Sequence, residues 1–222
     1  MKIRFLFDYL SPYSYLAWTQ VHTVAARHGA LVEPVPVLFA ALLDANGQKG
    51  PAEIPGKREY TFKDVLRKAA LLGVPVAPPA SHPFNPLLPL RASSLDEIDP
   101  EDRRRLIDGL YRATWVESRA VDQPDVVEDV AREAGLDGPQ IVRAARAEET
   151  KTRLRAQTEE AIARGVWGVP TLLATHPQKP EELFWGLDSL PHLEAFLRGE
   201  DPVPTDATER WATVRPSATR RI

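Results

Sequence analysis

Residues 5–17 read Phe-Leu-Phe-Asp-Tyr-Leu-Ser-Pro-Tyr-Ser-Tyr-Leu-Ala, a strand running through a short turn into a helix. The strand is predicted over Lys2 to Phe7, because Ile3, Phe5 and Phe7 alternate with Arg4 and Leu6. Ser11 directly before Pro12 is the pattern of an N-cap followed by proline at the first helical position. A side chain there faces the positive end of the helix, where backbone N–H groups lack internal partners. Such helix starts stabilise anions. Taken alone, however, Ser-Pro is an ordinary helix start with no function attached.

A second segment gives the first its meaning. Residues 165–173 read Gly-Val-Trp-Gly-Val-Pro-Thr-Leu-Leu. In thioredoxin-like folds a Val-Pro or Thr-Pro peptide precedes a central strand and sets a cis-proline against the helix that carries the redox pair. Only proline adopts cis at low cost. Val169 and Pro170 are therefore candidates for a backbone clamp that pairs with an extended, peptide-like ligand. The alternative is a plain strand-start proline. Residues 11–14, where a thioredoxin-like protein carries Cys-x-x-Cys, here read Ser-Pro-Tyr-Ser, and the chain has no cysteine. Sulfur chemistry at this helix start requires a thiol supplied by a cofactor.

Five segments together resemble the 2-hydroxychromene-2-carboxylate isomerase family, which belongs with the kappa-class glutathione transferases. They are Phe7 to Ala17, Gly50-Pro-Ala-Glu53, Lys57-Arg-Glu-Tyr60, Gly168-Val-Pro-Thr171 and Phe184-Trp-Gly-Leu-Asp188. The resemblance spans nearly the whole chain. It implies an α/β protein with a thioredoxin-like fold and a large inserted all-helical domain, with glutathione as cofactor and a homodimeric assembly. It implies cis–trans isomerisation of 2-hydroxychromene-2-carboxylate or a related aromatic enone acid, by reversible thiolate addition. Ser11 would be catalytic, donating its hydroxyl to the cofactor sulfur. Ser11, Val169, Pro170, Trp185, Gly186, Leu187 and Asp188 would bind glutathione; Glu53, Lys57 and Asn85 would face the substrate. The family usually places arginine after the aspartate, whereas this chain has Ser189. That departure removes a charged clamp from the glutathione site. Two alternatives stand beside the isomerase: a kappa-class-like glutathione transferase or peroxidase, and a non-catalytic thioredoxin-fold binding module.

Composition narrows the class. A chain of 222 residues can bury a substantial core. Its formal charge of −3 gives no electrostatic reason to expect nucleic acid or an anionic membrane. No apolar run reaches membrane-spanning length. The first residues enter a strand without a basic, apolar leader, so a cytoplasmic protein is expected. The lack of cysteine fits a reducing compartment. The five histidines, at 22, 28, 82, 176 and 192, have no paired spacing suited to a metal. No Gly-x-Ser-x-Gly elbow supports a serine hydrolase.

Four parts are expected along the chain: 1–38 and 159–198 as the thioredoxin-like domain, 39–158 as the inserted helical domain, and 199–222 as a C-terminal arm, extended or partly disordered. Helices are predicted over 12–28, ending at Gly29, and up to Gly73, then over 100–116, 125–134 and 139–163. A second strand is predicted over Leu31 to Leu38, with its prolines placing it at a sheet edge. A strand pair over 171–174 and 183–185 precedes a last helix ending near Leu197. The stretch 74–89 is proline-rich, so His82 and Asn85 stand on an irregular platform. Asn85 suits a substrate hydrogen bond or a turn backbone equally well. Lys57 suits a carboxylate of cofactor or substrate, or plain solvent. Trp18, Trp115 and Trp167 read as core or cleft-wall aromatics.

Overall fold

Strand β1 (Lys2–Phe7) leads through residues 8–11 into helix α1 (Pro12–Arg27), and β2 (Leu31–Pro36) returns parallel to β1. The computed structural model describes residues 1–204 and 206–218. Helices α2 (Phe39–Ala45), α3 (Pro55–Leu72), α4 (Leu87–Ser93), α5 (Pro100–Trp115), α6 (Pro124–Glu133), α7 (Gly138–Arg146) and α8 (Glu148–Ala163) follow. Strands β3 (Thr171–His176) and β4 (Lys179–Trp185) and helix α9 (Leu190–Leu197) complete the α/β unit. The sheet order is β2-β1-β3-β4, with β3 antiparallel to both β1 and β4. This is a thioredoxin-like fold carrying a large helical insertion.

Alternation in β1 divides the core into two. Ile3, Phe5 and Phe7 join α1, α9 and most of the helical insertion in one apolar cluster. Leu6 points the other way, to Val35, Val37, Leu42, Ala161 and Leu173. Arg4 shares that second face and reaches Glu160 of α8 at 2.8 Å. As its prolines require, β2 is an edge strand, and the free carbonyl of Pro34 accepts from Arg103 at 2.9 Å. Gly73 ends α3 in the left-handed region at φ 65°, where a side chain would be strained.

Several expectations need correction. Residues 139–163 form two helices, not one, because Ala147 is extended (φ −63°, ψ 148°) and caps α8. The Thr150 hydroxyl donates to Ala144 O across this break at 2.8 Å, tying the two helices at a corner. The proposed boundary at 158/159 falls inside α8. Helix α4 starts at Leu87, within the proline-rich stretch, where Pro89 is tolerated in the first turn. The strand pair is longer than predicted at both strands. In the arm, Ala207–Ala212 forms a short helix, α10; Thr205 and residues 219–222 lie outside the described residues. Among the described residues no helix is long and apolar enough to cross a membrane.

Candidate active site

The turn between β1 and α1 is held from every side. Ser11 N donates to Asp8 O at 3.1 Å, which folds the chain back on itself. The Asp8 carboxyl, wholly buried, accepts from Leu10 N and from Phe39 N, both at 2.9 Å. Burial pushes its pKa up from 3.8 to about 7, against the opposing pull of those two amides. The helical insertion supplies the remaining partners. Trp115 Nε1 donates to Tyr9 O at 3.0 Å, the hydroxyls of Tyr9 and Ser93 meet at 2.6 Å, and His82 Nε2 lies 2.9 Å from Leu10 O. A buried turn tolerates few unpaired backbone groups, and here distant residues satisfy them.

Ser11 emerges from this turn as the N-cap of α1. Its Oγ accepts from Ser14 N at 3.1 Å, and Ser11 is buried. Its proton points to Val169 O across 3.4 Å, a long and weak bond. The Val169–Pro170 peptide is cis, as is His82–Pro83. So the helix start and the Val-Pro segment, far apart in sequence, are in contact. A loosely held hydroxyl proton at the positive end of a helix is suited to an incoming anion such as a thiolate. The buried hydroxyls of Ser14, one turn along α1, and of Tyr111 on α5 make no hydrogen bond of normal geometry among the described residues.

The Trp-Gly-Leu-Asp segment borders the same place. Gly186 N donates to Pro170 O at 2.9 Å. The rings of Trp185 and Trp167 pack 5.9 Å apart. Gly168 lies against Trp185 so closely that a Cβ there would come within 2.8 Å of Nε1. Asp188 does not cap the last helix; its carboxylate lies 3.0 Å from Lys68 Nζ. Ser189 donates to Gly186 O at 2.7 Å.

His82, which reaches the Leu10 carbonyl, also lines a cavity of about 420 Å³. Arg58, Phe62, Val65 and Leu66 of α3 form one wall; Val76, His82 and Trp115 are among the residues opposite. Arg58, Phe62, Val65 and Leu66 fall at i, i+4, i+7 and i+8, a single helical stripe. Arg58 brings the cation, donating to His82 O at 3.0 Å. Burial, with the Arg58 charge adding to it, lowers the pKa of His82, while its bond to Leu10 O acts the other way. An aromatic, apolar cavity with one cation suits an aromatic anion.

Glu53, Lys57 and Asn85, the three residues expected to face substrate, are not among those that line this cavity. Lys57, next to Arg58, is turned onto the stripe of Tyr60, Asp64 and Lys68. Glu53 accepts from Gly50 N at 2.6 Å and closes the turn before α3. Asn85 accepts from Leu87 N at 3.1 Å, the turn-backbone role. Sequence reasoning did not single out Asp8, Arg58 or Lys68. Asp8 stood within the quoted motif; Arg58 and Lys68 could have been separated from Lys57 only by phasing α3. Trp18 and Trp115 are core residues, and Trp115 also walls the cavity.

A family model for the DSBA-like thioredoxin domain matches residues 2–198. The 2-hydroxychromene-2-carboxylate isomerase of Sphingobium xenophagum is 28% identical over 199 residues, covering 88% of this chain and 97% of that protein. Glutathione S-transferase kappa 2 of Caenorhabditis elegans is also 28% identical, over 207 residues, 88% of this chain and 91% of the relative. A solved 2-hydroxychromene-2-carboxylate isomerase superposes with a TM-score of 0.80 at 27% identity, over 90% of this chain and 95% of that one.

Proposed function

The chain belongs to the DSBA-like thioredoxin domain family, and from that premise we propose that it is a glutathione-dependent cis–trans isomerase of aromatic enone acids. The observation that carries this reading is the meeting of Ser11 Oγ, at the start of α1, with Val169 O, in a chain without cysteine. A serine there cannot exchange disulfides, but it can hold a thiolate by a charge-assisted hydrogen bond. Glutathione, when bound, supplies the nucleophilic sulfur that adds reversibly to the conjugated double bond and lets it rotate.

The chain's own groups do the rest. Ser11 donates its proton, and the helix start adds its positive end; both favour thiolate over a thiol of ordinary pKa near 8.5. Val169 and Pro170 present backbone to the extended cofactor, and Trp185 to Asp188 border its far end. Phe62 and Trp115 wall the aromatic half of the site, and Arg58 meets the substrate carboxylate. His82, through Leu10 O, ties that half to the turn that fixes Ser11. A homodimer, implied by the resemblance, and a reducing cytoplasm, where reduced glutathione is abundant, belong to the same proposal.

The test joins binding to turnover. Reduced glutathione is titrated calorimetrically into wild type and Ser11→Ala, and both are assayed on 2-hydroxychromene-2-carboxylate. The expected result is saturable wild-type binding, with turnover in Ser11→Ala reduced at least about a hundredfold and an unchanged fold. Unchanged turnover in the variant removes Ser11 from the mechanism. The equal identity to a kappa-class transferase supports a second reading, in which product analysis finds a glutathione conjugate and no regenerated cofactor.

A further inference from the structure

The walls of the cavity differ in stiffness. Phe62, Val65 and Leu66 stand on one helix and shift only together, and Trp115 is buried in the core. The facing wall is the irregular run 76–82, whose hydrogen bonds come from other elements. Just before it, the Tyr15 hydroxyl donates to Pro75 O at 2.9 Å. Ala77 N donates to Trp115 O at 2.7 Å, and Ser118 Oγ donates to Pro78 O at 2.6 Å. At the far end His82 reaches Leu10 O, and its own carbonyl accepts from Arg58. Ser118, with φ 55°, is the one non-glycine residue at positive φ among the described residues. Residues with a side chain enter that region uncommonly. Here it lies in the segment after α5 that brings the hydroxyl onto the wall.

Between the anchors at Pro78 and His82, residues 79–81 make no hydrogen bond among the described residues. Pro79 carries no N–H, and Ala80 and Ser81 are exposed. Pro79 and Ser81 line the cavity on one side. On the other they line a shallow cleft with Phe84, Thr114, Ala120 and Val121. A span with a cavity before it and a cleft behind it can be displaced without breaking a hydrogen bond. The helix face opposite has no such freedom. At about 420 Å³ the cavity lies near the small end of ligand sites, which run from roughly 300 to 1,000 Å³. Ring size is therefore a property that this cavity is placed to sort.

We propose that residues 79–81 set the upper size limit of the aromatic acid, yielding toward the cleft so that acids of more than two fused rings enter beside Arg58. This deepens the proposed function and rests on its reading of the cavity as the aromatic-acid site. Ser118, by holding Pro78, sets where the yielding span begins. Ala120, behind the span, sets how far it retreats. Neither lines the cavity, so both are positioning residues that act through the wall.

The experiment is fluorescence titration of wild type, Ala120→Leu and Ser118→Ala with 2-naphthoate (two rings) and pyrene-1-carboxylate (four rings). Wild type should bind both. Ala120→Leu fills the cleft, so it should weaken the four-ring acid at least about tenfold and the two-ring acid less than about twofold. Ser118→Ala releases Pro78 and should move the ratio the other way, favouring the four-ring acid by about threefold. Because the two variants are expected to act in opposite directions, general damage to the fold cannot imitate the result. If Ala120→Leu leaves the ratio of the two affinities as in wild type, or Ser118→Ala does not raise that of the four-ring acid, the proposal is overturned. Wild type that binds the two-ring acid alone also overturns it, while the aromatic-acid reading stands. If wild type binds neither acid, that reading of the cavity falls and this proposal with it, and the glutathione titration still decides the thiol site at Ser11.

Discussion

Replacing Asp8 with asparagine changes one buried atom type and should leave a signature in the pH dependence of stability. The carboxyl is fully buried and its two oxygens accept from Leu10 N and Phe39 N. Asparagine has one oxygen, so its amide nitrogen must face one of these N–H groups, donor against donor. An unsatisfied buried donor costs about 1 to 3 kcal/mol, and that is the loss expected at pH 8. The carboxyl's pKa is about 7 in the folded protein against 3.8 when exposed. Between those values the folded state keeps a proton that the unfolded chain has released, so rising pH favours unfolding. About three pH units at roughly 1.4 kcal/mol each amount to about 4 kcal/mol in all, fully present below pH 4 and gone above pH 7. Asp8→Asn has no such proton, so its deficit relative to wild type should shrink as pH rises.

The assay is denaturant unfolding of both proteins from pH 5 to pH 8, read as the difference between them. His22 works in the opposite sense over much of this range. Burial, aided by Arg104, lowers its pKa to about 4, so its contribution to stability is lost as pH falls below 6.5. Its effect is common to both proteins and cancels in the difference, as do those of the surface ion pairs. The deficit of Asp8→Asn should fall by roughly 2 to 3 kcal/mol between pH 5 and pH 8. A difference that stays flat across this range would refute the reasoning, because the carboxyl would then titrate alike in the folded and unfolded chain.

The other variants test the site at separate points. Arg58→Met should raise KM for an aromatic carboxylate substrate about tenfold with kcat nearly unchanged, and an equal fall in kcat would place the guanidinium in the chemical step instead. Gly168→Ala drives a Cβ to 2.8 Å from Trp185 Nε1; since Trp185 is half-exposed it should swing away, costing roughly 1 kcal/mol. Loss of the Trp167–Trp185 near-ultraviolet circular dichroism signal, with weaker glutathione binding, checks this. Ser11→Ala removes the cap on Ser14 N and should lower stability by about 1 kcal/mol by thermal unfolding, far less than its effect on turnover.

What the sequence disclosed was mostly local. The strand, turn and helix of residues 2–27 were legible because alternation and Ser-Pro capping are short-range signals. The Val169–Pro170 segment was legible because its pattern is compact. The break at Ala147 was not, since no glycine or proline marks it and the stop comes from how α7 and α8 pack. Lys57 drew attention for its charge and its place in a motif. Yet adjacent residues on a helix point about 100° apart, and only the packing of α3 decides that Arg58 takes the cavity stripe. Lys68, four residues after Asp64, reads in sequence as an ordinary surface pair. Only the fold brings Asp188, 120 positions away, to the same ammonium.

Two residues that stood out in the sequence only as a loop histidine and a core or cleft-wall tryptophan share a property that bears on how this site is built. Trp115 and His82 each act twice: both line the cavity, and each engages a carbonyl of the turn that positions Ser11, Trp115 at Tyr9 O and His82 at Leu10 O. The cavity and the turn that carries Ser11 therefore share side chains. A change that reshapes the cavity at Trp115 or His82 also frees a backbone carbonyl near the N-cap serine, and under the proposed function it should lower turnover as well as alter substrate binding. Arg58 and Leu66 line the cavity without touching the turn, so altered substrate preference is accessible at those positions first.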